Sequence, residues 1–319
     1  SWDVVVKHSE RVVLWGCDPI VTNDIDWLTT LHNSYGYFRT LKEKGTKTIA
    51  INPLKPDTAE YLGSEWIAPR PGTDCAMMLG MLHELVRTKK ADTEFLTKCC
   101  SGWPELHDYI TGKTDGVEKT PAWAARECGV PAERIVSLTH ELQEHRTMIM
   151  MGWGIQRIQY GEQSHWMGFA LAAALGQIGL PGGGIGTNYH YSNGGSPLCT
   201  GPFLGGISSG VKPVKPSTLP WKGSQTIPVA RFVDCFLNPG KTIDFNGTKV
   251  TYPEVRLVMW AGGNPFAHQP DTMKLERAWK KPETVVVTDT VWTATARHAD
   301  IVLPAATVFE HNDITNIGT

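Results

Sequence analysis

Met148-Ile149-Met150-Met151-Gly152-Trp153-Gly154-Ile155-Gln156-Arg157 opens a stretch that closes, 23 positions later, with Leu180-Pro181-Gly182-Gly183-Gly184-Ile185-Gly186. Four consecutive apolar residues read as a strand buried on both faces, as parallel sheets require. The glycines at its end let the backbone turn sharply and approach a ligand closely. Trp153, Gln156 and Arg157 follow at once, and a flat ring, an amide and a permanent cation within one turn suit a planar, anionic ligand.

The same grammar holds on either side. Arg11–Trp15 is an apolar strand that ends at Gly16 and runs into Cys17-Asp18-Pro19. A helix over 27–44 and a strand Lys47–Ile51 ending at Asn52-Pro53 follow, then a strand over 64–68 before Pro71-Gly72-Thr73-Asp74. Strand, helix, strand at this spacing is a right-handed βαβ unit in a parallel sheet. Ligands of such sheets lie beyond the carboxyl ends of the strands, where Gly16, Asp18, Asn23, Asn52 and Asp74 stand. Thr73 is expected to cap a helix over 75–88, with Asp74 an exposed acid in its first turn.

Short helices fill 91–147 without a recognisable site; His140 and His145 are five apart and share no helix face. The Gly-, Ser- and Pro-rich segment 187–228 exceeds the usual connection length and is expected to be functional or mobile. The last third repeats the first: a strand over 255–260 ending at Gly262-Gly263-Asn264-Pro265, a helix over 271–280, a strand over 284–288 ending at Asp289, and a strand into Pro304. The expected fold class is α/β, with two βαβ Rossmann-like halves, parallel sheets, and an inserted helical and loop region. Residues 1–150 form the first nucleotide-binding half with its helical segment. Residues 151–228 form the central turn, helix and glycine-rich active-site loop, and 229–319 a truncated second half.

With 19% charged and 41% hydrophobic residues and 12 tryptophans, this 319-residue chain is globular. Its net charge of -2 and lack of a Lys/Arg run exclude nucleic acid as an expected partner. No apolar run approaches the ~20 residues of a membrane span. Seven cysteines without a C-x-x-C pair argue against a structural zinc site and a disulfide scaffold. Both ends read as cut from something longer.

The ordered set of motifs resembles the molybdopterin oxidoreductases of the dimethyl sulfoxide reductase family, over essentially the whole chain. It is carried by Trp15-Gly16-Cys17-Asp18-Pro19 with Thr22-Asn23, Ile51-Asn52-Pro53, Pro71-Gly72-Thr73-Asp74, the stretch 152–157, Gly161-Glu162-Gln163, 177–184, 189–195, 262–268 and 292–304. Within the family it is most similar to the branch of dimethyl sulfoxide, trimethylamine N-oxide and biotin sulfoxide reductases. The resemblance implies molybdenum held by two molybdopterin guanine dinucleotides, and reduction of a small S-oxide or N-oxide by oxygen-atom transfer. It also implies a periplasmic location, a c-type cytochrome as electron donor and a maturation chaperone.

By the same resemblance, Asn52 and Asp74 serve one nucleotide and Asn264, His268 and Asp289 the other. Trp153 and Arg157 lie near the metal, and Gln156 contacts a pterin or its phosphate. Gly16, Asp18, Asn23, Pro53, Gly154 and Gly262 complete the expected cofactor walls. The family's serine ligand to molybdenum falls upstream and its closing domain downstream of these residues, so no metal ligand is expected here and the chain alone is expected to be inactive. Two other readings compete. A nicotinamide-dependent dehydrogenase would also use paired βαβ units, but neither turn carries G-x-G-x-x-G. A two-lobed solute-binding protein would hold no tight cofactor.

Overall fold

The computed structural model describes residues 1–23, 34–156, 158–189, 227–245, 247–307 and 309–312. The chain divides into two compact units, Ser1–Phe203 with Ile317–Thr319, and Leu204–Asn316.

The first unit is built on a five-stranded sheet of β1 (Arg11–Trp15), β2 (Lys47–Ile51), β3 (Glu65–Ile67), β4 (Thr147–Met151) and β5 (Gly184–Gly186). All its pairings are parallel, in the order β3-β2-β1-β4-β5. The apolar runs are explained by the pleat: alternate residues of each central strand enter different cores. Val13, Trp15, Ile49, Ile51, Ile149 and Met151 join one cluster with Met77, Met78, Met81 and Leu82 of the helix Asp74–Arg87. Val12, Leu14, Ala50, Met148 and Met150 join another with Trp2 and Phe38.

The helix expected over 27–44 is described as Ser34–Glu43, and the one expected over 75–88 as Asp74–Arg87. Thr73 occupies the cap position of the latter but does not cap it, because its hydroxyl donates to the Arg70 carbonyl at 2.6 Å. Thr120 does cap Pro121–Cys128, accepting from the Trp123 amide, and Gly129 closes that helix at φ 77°. β5 was not foreseen as a strand, because glycine fills two of its three positions and leaves little apolar pattern to read.

The second unit carries a three-stranded parallel sheet of β8 (Leu257–Ala261), β9 (Thr284–Asp289) and β10 (Ile301–Pro304), ordered β10-β9-β8. Before it comes an antiparallel hairpin, β6 (Thr242–Phe245) with β7 (Thr248–Thr251), absent from the sequence reading. Trp279, Leu275, Val258, Val285, Val287 and Phe236 form the core of this unit. The order of its sheet matches β3-β2-β1 of the first unit, so the repeat is present in topology as well as in sequence.

Candidate cofactor site

In the first unit, a cleft of about 200 Å³ opens beyond the carboxyl ends of β1, β2 and β3, lined by Gly16, Asn52, Pro53, Leu54, Pro71, Gly72, Asp74, Gly154, Ile155 and Ile158. Five of the expected cofactor residues, Gly16, Asn52, Pro53, Asp74 and Gly154, meet here. Gly16 turns at φ 63°, and a Cβ on it would stand 2.5 Å from Ile155 Cγ2, so only glycine fits.

Among the described residues of this largely apolar lining, Asp74 is the one ionisable group, and it is 5% exposed. Its Oδ1 accepts from the indole Nε1 of fully buried Trp15 at 2.8 Å. Burial pushes its carboxyl above the usual range, against the downward pull of the Trp15 bond. The expectation of an exposed first-turn acid is therefore corrected: Asp74 satisfies a core tryptophan as well as facing the cleft.

Several other expected residues are occupied differently. A Cβ on Gly152 would lie 2.2 Å from the Gly16 carbonyl, and one on Gly154 3.0 Å from it. The glycines of the opening stretch thus make room for the neighbouring β1 turn, and Gly154 also lines the cleft. Asn23 is buried, and its Nδ2 donates to the Tyr189 carbonyl at 3.3 Å. Gln156 is exposed, and Trp153 is 40% exposed on the short 3-10 turn Trp153–Ile155; neither lines the cleft. Arg157, and the loop segment 190–226, lie outside the described residues.

In the second unit, a cleft of about 190 Å³ is lined by Asp289, Thr290, Val291, Trp292, Val302 and Pro304. The Asp289 carboxylate accepts from the Thr290 amide at 2.8 Å and the Thr293 hydroxyl at 2.9 Å. Gly262 turns at φ 66° with nothing within 4 Å of where its Cβ would be. Gly262, Asn264 and exposed His268 do not line this cleft.

The two units share one further device, which adds two threonines that the sequence reading passed over. Gly16 N–H donates to the Ile51 carbonyl at the end of β2, and Gly262 N–H to the Thr288 carbonyl near the end of β9. Two residues on, Asp18 and Asn264 take nearly the same backbone angles (φ -133°, ψ 78° and φ -130°, ψ 78°), each before a proline that begins a short helix. Asp18 Oδ1 accepts from the Thr58 hydroxyl and from its amide at 3.0 Å. Asn264 Oδ1 accepts from the Thr295 hydroxyl at 2.7 Å and its amide at 3.2 Å. Each threonine hydroxyl in turn accepts from a backbone amide, Ile20 at 2.9 Å and Phe266 at 3.4 Å. Thr58 and Thr295 are both 0% exposed. Asp18, expected in a cofactor wall, also holds the turn: its second oxygen accepts from the Asp57 amide at 2.9 Å. The pairing of Thr58 with Thr295 was available as a spacing: each follows its strand-end residue, Asn52 or Asp289, by six.

Among the described residues, no group of three or more His, Cys, Asp or Glu side chains is arranged to hold a metal ion, and no helix is long and apolar enough to cross a membrane.

Repeated parallel sheets with glycine turns and polar residues at the strand ends define a protein of the parallel α/β class, in which ligands lie beyond the carboxyl ends of the strands. The model of the molybdopterin oxidoreductase family matches residues 1–317, and the chain belongs to that family. It is 51% identical over 319 residues to the dimethyl sulfoxide/trimethylamine N-oxide reductase of Cereibacter sphaeroides, covering 100% of this chain and 39% of that protein. It is 46% identical over 321 residues to the trimethylamine-N-oxide reductase of Haemophilus influenzae, again covering 100% of this chain and 39% of the relative. The chain thus spans about two fifths of the length of these relatives. Acetylene hydratase from Pelobacter acetylenicus shares the fold, with TM-score 0.61 and 18% identity over 95% of this chain and 43% of that one. Membership of the family implies a molybdenum–pterin cofactor.

Proposed function

We propose that this chain supplies the nucleotide-binding walls of a molybdenum oxidoreductase that reduces S-oxides or N-oxides by oxygen-atom transfer, one molybdopterin guanine dinucleotide being served by each unit. The observation that carries this reading is the duplication: two parallel sheets that share a three-strand order, each with a glycine turn and a strand-end Asx residue. A cleft of about 200 Å³ is smaller than the roughly 300 Å³ of an ordinary small-molecule pocket, so it suits a base-sized part of a dinucleotide. A carboxylate in an apolar cleft fits guanine, whose N1–H and N2–H can donate together to its oxygens. The carboxylate acceptor of the first cleft therefore fits guanine.

When bound, the molybdenum–pterin group supplies the two-electron chemistry by which an S-oxide or N-oxide loses its oxygen. The chain's own residues bind and orient. Asp74 receives guanine with a carboxylate whose orientation Trp15 fixes, and Asn52, tied to the Cys17 carbonyl at 3.4 Å, stands beside it. In the second unit Asp289, the topological counterpart of Asn52, supplies the carboxylate of its cleft. We assign Trp153 and Arg157 to the substrate side of the metal on sequence grounds. Removing such a preorganised cation, Arg157→Ala, is expected to lower turnover by ~10²-fold or more at unchanged molybdenum content. Lost cofactor with an unchanged rate per molybdenum would give Arg157 a binding role instead. A periplasmic location and a c-type cytochrome donor belong to the same proposal, checked by cell fractionation and by cytochrome oxidation on adding trimethylamine N-oxide.

The deciding experiment is metal analysis with nucleotide chromatography on a protein of the relatives' full length that carries this chain. Two guanines per molybdenum are expected on denaturation. Molybdenum without guanine overturns the dinucleotide assignment, and nicotinamide in its place overturns the whole reading.

A further inference from the structure

Each cleft is walled by a loop that leaves a strand at an Asx residue, and each loop is tied back at its far end by a buried threonine. In the first unit the loop runs from Asn52 through Pro53 and Leu54 to Thr58; in the second, from Asp289 through Thr290, Val291 and Trp292 to Thr295. The near end is held by the strand ladder, since Gly16 and Gly262 bond the carbonyl just before the Asx. Nothing in the ladder reaches the far end. There the threonine hydroxyl donates to Asp18 or Asn264 and accepts from the amide two residues further on, joining the loop to the first-strand turn. The loop tops carry exposed apolar side chains, Leu54 at 80% and Trp292 at 68%.

A hydroxyl is the only side-chain group of this size that can both donate to a carboxylate or amide oxygen and accept from an N–H. Serine could do the same, whereas valine keeps the shape and does neither. We propose that Thr58 and Thr295 are positioning residues for the cofactor, each fixing the loop that walls one nucleotide cleft. This rests on the assignment of one guanine nucleotide to each unit. Neither threonine touches a cleft itself; each acts through the loop it closes.

The test uses the full-length holoprotein with Thr58→Val, Thr295→Val and the two corresponding serine variants. Thr139→Val serves as control, since Thr139 is also 0% exposed but its hydroxyl bonds only within its own helix, to the Ile135 carbonyl. Guanine released on denaturation is counted per polypeptide after equilibration at limiting cofactor, and amide exchange is followed over 52–54 and 289–292. Each valine variant is expected to lower guanine affinity by about threefold to tenfold, the worth of one buried hydrogen bond, and to speed exchange in its own loop alone. The serine variants and Thr139→Val are expected to match the parent. Should one valine variant not fold, the other tests the same device in a unit with its own core. Parental guanine affinity in the valine variants, or a loss that serine does not restore, overturns the proposal. A parent that releases no guanine overturns the nucleotide assignment instead, whatever the variants do.

Discussion

Asp74 meets two demands that pull against each other. The Trp15 indole needs an acceptor in the core, and the proposed guanine contact needs an ionised carboxylate, yet burial disfavours the charge. Because the folded-state pKa is raised, the stabilisation linked to the proton is complete below the unfolded value of about 4 and is lost as pH rises through the raised folded value. Asp74→Asn cannot titrate and still offers Trp15 an oxygen. Its melting temperature relative to the parent is therefore expected to rise between pH 4 and 7, and a difference that stays flat would show that Asp74 is not held against its charge. Asp74→Ala leaves the indole N–H without a partner and should cost about 1–3 kcal/mol, measured by urea unfolding. The position of Asp74 past a strand end was legible in the sequence; its burial was not, because Trp15 lies 59 residues away. Asp18 shows the converse: its place past a strand end was legible in the sequence, and only the fold reveals that its carboxylate accepts from Asp57 and Thr58.

Among the elements, the helix Asp74–Arg87 shows what spacing can and cannot convey. Its apolar stripe was plain, but Gly80 within it gave no clue to its use. In the fold Gly80 faces Ala124 of Pro121–Cys128, and a Cβ there would stand 2.6 Å from that of Ala124. Alanine would add up to ~1 kcal/mol of helix propensity, but overpacking of this kind costs roughly 1–3 kcal/mol. Gly80→Ala is expected to destabilise on balance, and Gly80→Ala with Ala124→Gly to recover much of the loss. Additive losses in denaturant titrations would place the cost elsewhere. The central strands were readable because burial on both faces leaves an unbroken apolar run. The hairpin β6–β7 was not, since its Thr242, Asp244, Thr248 and Lys249 are exposed and polar and bury almost nothing.

At the scale of the whole molecule, the two units keep separate hydrophobic cores, and the glycine-turn repeat was visible in sequence because both copies retain the same landmarks in the same order. Trp279 is 4% exposed and packs against Trp260, Phe236 and Phe266 in the second core. Trp279→Ala is expected to remove about 3–5 kcal/mol from that unit alone. Calorimetry should then show one transition lowered and another unmoved; a single transition that shifts as a whole would mean the units unfold together. The parallel sheet of the first unit also sets a timetable. β1 lies in its interior, and its partner on one side, β4, begins 136 positions later in the chain, with Arg11 opposite Thr147. At a synthesis rate of ~5–20 residues per second, Val12–Trp15 waits roughly 7–27 s with one edge bare. Ribosome-stalled chains ending at residue 140 are thus expected to bind a hydrophobic dye or a holdase, and chains ending well past residue 190 to release it. Equal binding by both would mean that the strand is shielded before its neighbour arrives.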